Sequence, residues 1–219
     1  MVFEMRNVVI SGSEIFPAYK RQRSYLATGI LLDDVSNYAM LCNVQAVKKD
    51  GNIHKGMAGF WEENDMLQVP LGVIADWKEI RCPQKEMYIV ENPSVFAMLC
   101  REFHPEQKRS CMCMNGQPRL SGLMILDLLA ESGTTVYYGG DLDPEGILIA
   151  QKLADYYQGE FHFWHMDVKD YEKSRSEEVI SPRRMKILEK ITNERLLPVK
   201  EEIQKYKVAG YQEKLYIWR

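Results

Sequence analysis

Three carboxylates stand at the ends of apolar runs, where a divalent cation could be held. Glu91 closes the run Met87 to Val90, and Asp141 and Asp143 lie in Gly139-Gly140-Asp141-Leu142-Asp143-Pro144-Glu145-Gly146, after Thr134 to Tyr138. Between them the run Ser110 to Met114 ends in Asn115-Gly116-Gln117-Pro118. In an open parallel sheet, ligands bind outside the carboxyl ends of the strands, so all three acids belong on one rim. If the first and third runs are neighbouring strands, a spacing of about 4.8 Å lets Glu91 and Asp141 reach one ion. Mg²⁺ suits such a set, because it takes oxygen donors, keeps several waters and uses one or two carboxylates plus substrate phosphates. Side chains at i and i+2 of extended backbone share a side, which adds Asp143 to the metal candidates. Gly139, Gly140 and Gly146 remove side chains around the pair, which is expected to admit a nucleic-acid backbone.

Part of this pattern has a plainer reading as well. Asp143 is a natural helix N-cap, Pro144 suits the first helical position, and Glu145 offsets the helix dipole. Capping leaves Asp141 and Glu91 without a purpose, and the combination therefore favours a site. Asp167 and Asp170 follow the next apolar run, and Asp167 is either an added ligand or a cap. His162 and His165 face opposite sides of an extended strand and read as packing or surface residues. Met112 and Met114 alternate with Cys111 and Cys113 as in a strand buried on both faces.

The elements that must position these residues follow from the alternation of apolar runs and helical spacing after residue 86. Strands are expected at Met87 to Val90, Ser110 to Met114, Thr134 to Tyr138 and Glu160 to His165. Helices are expected at Ser94 to Phe103, Leu120 to Glu131 and Glu145 to Tyr157, with Gly133 and Gly159 closing the last two. The fold class is α/β, with a parallel four-stranded sheet flanked by helices over 86–219. Residues 1–85 form an accessory α+β region, with a helical segment from Ile15 to Met40 and then the apolar LQVPLGVIADW. Its abrupt start fits a chain that is the remainder of something longer. Helical segments Pro182 to Ile191 and Leu197 to Lys207 complete the chain.

A hydrophobic content of 46% in 219 residues supplies a packed core. No run approaches a membrane span, and MVFEMRNVVI lacks the features of a signal sequence, so a cytoplasmic protein is expected. The odd number of cysteines, 42, 82, 100, 111 and 113, without a C-x-x-C, points to neither zinc nor disulfides. A net charge of −3 argues against a general polyanion-coating protein but not against a nuclease that collects carboxylates around Mg²⁺. Lys20, Arg21 and Arg23, then Arg183, Arg184 and Lys186, are the local basic clusters, each more readily read as a solvated helix face.

A Glu after the first strand, a glycine turn after the second and D-x-D after the third resemble a Toprim domain, a Rossmann-like fold, over residues 86–165. G-D-L-D-P-E-G is similar to the D-x-D-P-x-G of topoisomerase VI A subunits and the related meiotic double-strand-break transesterase. VENPSVF, CMNGQPRLSGLMILDLL and YYGGDLDPEGILIA more closely resemble the C-terminal domain of the JetD family, the nuclease subunits of Wadjet plasmid-defence systems. That resemblance implies a Mg²⁺- or Mn²⁺-dependent DNA endonuclease beside an SMC-like ATPase complex, and leaves a homodimer open. By position, Asp141 and Asp143 would hold metal, and Glu91 would hold metal or act as general acid/base. Asn115 and Gly116, with Gly140, would shape the floor. Tyr19, Tyr25 and Tyr38 show no sign of being the attacking tyrosine of a topoisomerase, so hydrolysis is expected. The alternatives are an inactive module that docks DNA or an SMC-like partner, and a haloacid-dehalogenase phosphatase. The latter needs an Asp where this chain has Glu91.

Overall fold

The computed structural model describes residues 16–31, 36–102, 106 and 108–216. In chain order these form α1 (Pro17–Ala27), β1 (Tyr38–Cys42), β2 (Gln45–Lys48), α2 (Lys55–Glu63), β3 (Met66–Pro70), α3 (Leu71–Ile74), β4 (Trp77–Arg81), β5 (Glu86–Val90), α4 (Pro93–Glu102) and β6 (Ser110–Cys113). There follow α5 (Leu120–Glu131), β7 (Thr135–Gly139), α6 (Pro144–Tyr156), β8 (Phe161–Phe163), α7 (Val168–Ser174), β9 (Arg175–Val179), α8 (Pro182–Met185), α9 (Leu197–Tyr206) and β10 (Val208–Gly210).

The four strands expected from the apolar runs form a parallel block, β6-β5-β7-β8. The sheet is nevertheless six-stranded and mixed, because β1 and β3 extend it beyond β6 in antiparallel register. This corrects the expected four-stranded parallel sheet. Residues 1–85 thus contribute to the same sheet as the later strands. The helix expected from Ile15 to Met40 stops at Ala27, and Ile15 lies outside the described residues. Tyr38–Cys42 is extended instead, since Leu41 and Cys42 meet Met112 and Cys111 in a fully buried pairing. Without β1, β6 would leave a row of backbone N–H and C=O groups unpaired.

Helices cover both faces. Val90, Cys111 and Cys113 pack against Val95, Phe96, Leu99 and Cys100 of α4 on one side. Met87, Ile89 and Met112 share the other core with Leu123 and Leu126 of α5 and Ile147 and Leu153 of α6. The connections from β5 to β6 and from β6 to β7 thus leave by opposite faces, as two right-handed crossovers in opposite directions require. α1 is pinned to that second layer by a polar knot. Tyr19 and Tyr156 donate to Asp127 at 2.7 and 2.6 Å, and Arg23 pairs with it at 3.0 Å.

Helix α4 begins at Pro93, and the expected end at Phe103 lies outside the described residues. Gly133 ends α5 with φ of 65°. Gly159 plays no such role, because the chain leaves α6 at Tyr157 in an extended conformation. The segment expected as a helix over Pro182 to Ile191 is α8 followed by a 3-10 turn, and α9 ends at Tyr206 with Lys207 left-handed. The β9–β10 pair was not anticipated. No helix among the described residues is long and apolar enough to cross a membrane.

Candidate functional site

Strand β5 lies between β6 and β7, so the chain reverses its direction of progress across the sheet there. Such a switch point opens a crevice at the carboxyl ends of the strands. Glu91 follows β5 and Asp141 follows β7, and the register Val90 to Gly139 sets the two strand ends level. The Asp141 N–H faces Glu91 Oε2 at 3.5 Å. Gly140 makes this approach possible, since a Cβ there would stand 3.0 Å from both Glu91 Oε2 and the Tyr138 hydroxyl.

Both carboxyls resist ionisation. Burial, and after it the Asp141 charge, pushes Glu91 up to about 7, with Asp143 and Glu213 adding and the Asp141 N–H opposing. Burial likewise raises Asp141 to about 6, against the Gln212 N–H and with help from Glu213 and Asp143. Tyr138, fully buried beside them, is held far above its ordinary range, by burial first and Glu91 second.

Asp141 and Asp143 have separate engagements. Asp141 Oδ1 accepts the Gln212 N–H at 2.8 Å. Asp143 Oδ1 accepts the Gly146 N–H at 2.7 Å as the α6 N-cap, and its Oδ2 is paired with Arg184. Arg184 also holds Glu145 at 2.8 Å and Glu178 at 3.3 Å. Burial raises Asp143, and the Gly146 N–H and Arg184 draw it back. One member of the basic cluster Arg183, Arg184 and Lys186 is therefore fixed to the D-x-D loop, and the other two are exposed beside it. The first cluster is elsewhere, with Arg23 committed to Asp127.

The glycines around the pair do not leave open space. A Cβ at Gly146 would overlap the Asp141 carbonyl, and one at Gly139 would meet the Trp164 carbonyl at 2.7 Å and Gln212 Nε2 at 2.8 Å. The expectation that they admit a nucleic-acid backbone is corrected: the protein's own backbone and the Gln212 side chain occupy that space. Asn115, left-handed at φ 53°, and Gly116 form the expected turn beside Glu91. The Gly116 N–H reaches the Glu91 carbonyl at 3.3 Å, and Asn115 Nδ2 donates to the Tyr38 hydroxyl at 3.2 Å.

A wall of the site comes from residues the sequence pattern did not single out. Leu142 and Gly210 exchange backbone hydrogen bonds at 2.8 and 3.0 Å, laying β10 and the 3-10 turn Gln212–Leu215 across the D-x-D loop. That turn brings Glu213 to Asn92, whose Nδ2 donates to Glu213 Oε1. Asn92 Oδ1 meanwhile caps α4 by accepting the Ser94 N–H at 2.7 Å. The paired hydrogen bonds of Leu142 and Gly210, the Gln212 N–H on Asp141 and the pairing of β10 with β9 place this segment, and no periodicity announces them.

Other candidates fall outside the site. Asp167 caps α7 in a reciprocal box with Asp170. His162 pairs with Glu160 and His165 with Asp170, separately. The cysteines are free, and all but Cys82 are buried. Tyr19 is buried and raised above its ordinary range, chiefly by desolvation, the reverse of an activated nucleophile.

Among the described residues no three His, Cys, Asp or Glu side chains already gather around one point. Glu91 and Asp141 nonetheless fit a hard cation. Their donors are all oxygen, and the two half-buried carboxyls lie together, each raised by burial and by neighbouring acids, with no Lys or Arg of the described residues named among the causes.

No curated protein matches the chain. The family described as "Protein of unknown function C-terminus (DUF2399)" matches residues 67–217, a span that takes in β3 apart from Met66, Glu91, the D-x-D loop and the turn carrying Glu213. That is well over half of the sequence, and the chain belongs to this family.

Proposed function

We propose that this chain is the endonuclease component of an SMC-like anti-plasmid defence system, cutting DNA with Mg²⁺ or Mn²⁺ at a Toprim-type site. The observation that carries the reading is the side-by-side placement of Glu91 and Asp141 at the switch point of the sheet's parallel block. The motifs around Glu91, Asn115 and the D-x-D loop supply the Toprim and JetD likeness, and with it the DNA substrate and the SMC-like partner. Arg183 and Lys186, exposed next to the loop, offer charge for a phosphate backbone.

Glu91 and Asp141 would hold the cation, and Asp143 would join them once released by Arg184. When bound, the cation supplies positive charge at the scissile phosphate and acidifies a coordinated water. Alternatively Glu91, raised to about 7 by burial beside Asp141 when no cation is held, would leave the cation to the Asp pair and take a proton from the attacking water. A P–O bond forms to the water oxygen as the ester P–O bond breaks, and the departing alkoxide takes a proton from solvent. The Gly146 N–H on Asp143 Oδ1 and the Gln212 N–H on Asp141 Oδ1 hold the loop in place. Nicking or linearisation of supercoiled plasmid by the full chain with added Mg²⁺ or Mn²⁺ tests this. Unchanged cleavage by Glu91→Ala and Asp141→Ala would sink it.

One observation favours a second reading. Both Asp143 oxygens are already engaged, as in a fold that keeps the motif to dock DNA or an SMC-like partner without chemistry. Soaking with Mn²⁺ separates the two readings: no ion beside Asp141, with partner binding intact, supports the docking module.

A further inference from the structure

We propose that Glu213 is the third carboxylate of the cation site, standing with Glu91 and Asp141 where the sequence motif would place Asp143. The inference rests on the metal-site reading above and names a ligand that the motif does not contain. The Gln212 N–H holds Asp141 Oδ1 at 2.8 Å, so the residue after Gln212 is fixed at the same carboxylate. Asn92, the residue after Glu91, fixes Glu213 from the other side through Oε1. Glu213 Oε2 is buried and has no hydrogen-bond partner, whereas Asp143 spends Oδ1 on Gly146 and Oδ2 on Arg184.

A second observation points to a missing occupant. The Tyr138 hydroxyl, in a residue with no exposed surface, is unpartnered beside Glu91, and the side-chain amide of Gln212, 1% exposed, is unpartnered at both its nitrogen and its oxygen. A buried polar atom without a partner forfeits its hydration and gains nothing in return. An ion carrying bound waters would satisfy such donors and acceptors, and Mg²⁺ or Mn²⁺ ordinarily combines one or two carboxylates with several waters.

The test is Mn²⁺ binding to the full chain without DNA, followed by calorimetry and by the electron paramagnetic resonance of free Mn²⁺. Glu213→Gln keeps an acceptor for Asn92 and removes the charge. It is expected to weaken Mn²⁺ by about tenfold or more, with the metal-free melting temperature undiminished. Glu213→Asp keeps the charge and should bind more tightly than Glu213→Gln, which guards against a disturbed turn. Wild-type affinity in Glu213→Gln, with binding lost in Glu91→Gln, overturns this inference and leaves the metal-site reading standing. Equal binding by the Asp and Gln variants also overturns it. Absence of Mn²⁺ binding by the wild-type chain overturns both.

Discussion

Arg184 closes on Asp143 and Glu145 at once: its Nε donates to the two Glu145 oxygens at 3.0 and 2.9 Å while Nη2 pairs with Asp143 Oδ2. A cation seeking Asp143 must compete with that guanidinium. Arg184→Gln should therefore have effects of opposite sign, lowering metal-free stability by about 1–3 kcal/mol by leaving a buried carboxylate unpaired and tightening Mn²⁺ binding. Denaturant unfolding and calorimetry measure the pair. A variant that loses both stability and affinity would mean that Arg184 builds the site rather than competes for it.

The raised carboxyls of Glu91 and Asp141 tie the stability of the metal-free fold to pH. The unfolded chain releases these protons near its ordinary values of 4.5 and 3.8, and the folded chain holds them to about 7 and 6. Their contribution is full below about 4 and is lost as pH rises through 6 and 7. Thermal unfolding without divalent ions should give a lower melting temperature at pH 8 than at pH 5, and Glu91→Gln should flatten that difference. Mn²⁺ should restore stability at pH 8 by about 2.7 kcal/mol at a hundred times its dissociation constant.

Glycines in two helices should respond oppositely to alanine. Gly146→Ala drives a methyl group into the Asp141 carbonyl, which is backbone and cannot swing aside. A cost of about 3 kcal/mol is expected, with loss of cleavage as the D-x-D loop shifts. Gly59, inside α2 with nothing within 4 Å of its Cβ position, should gain about 0.5–1 kcal/mol on the same change. Melting curves of the two variants compare them directly.

Tyr19 serves as a strut. Tyr19→Phe removes the hydroxyl from Asp127, which keeps Tyr156 and Arg23. Stability should fall by about 1 kcal/mol and plasmid nicking should be unchanged. A complete loss of cleavage in a folded Tyr19→Phe protein would revive a tyrosine-based transesterase.

The parallel block and the rim were readable because their code is local. Buried strands such as Ser110–Cys113 are continuous apolar runs, α5 repeats Leu123, Leu126 and Leu129 at helical spacing, and Asp143-Pro144-Glu145 announces a helix start. The failures share a cause as well. Tyr38–Cys42 is apolar enough to pass for a helix end, and only its pairing with β6 and β3 makes it a strand. Arg184 was visible only as one basic residue among several, since its commitment to Asp143 spans 41 positions. Glu213 lies in Gln212-Glu213-Lys214, a polar stretch whose place depends on hydrogen bonds between Leu142 and Gly210.

Those two hydrogen bonds also bear on timing. During synthesis the strands that carry Glu91 and Asp141 can pair long before Gly210 and Gln212 have emerged, because N-terminal segments leave the ribosome first. Until then Asp141 lacks the N–H that fixes it, and the mouth of the crevice lacks one side. The N–H that fixes Asp141 and the wall that carries Glu213 are therefore the last parts of the crevice to be put in place.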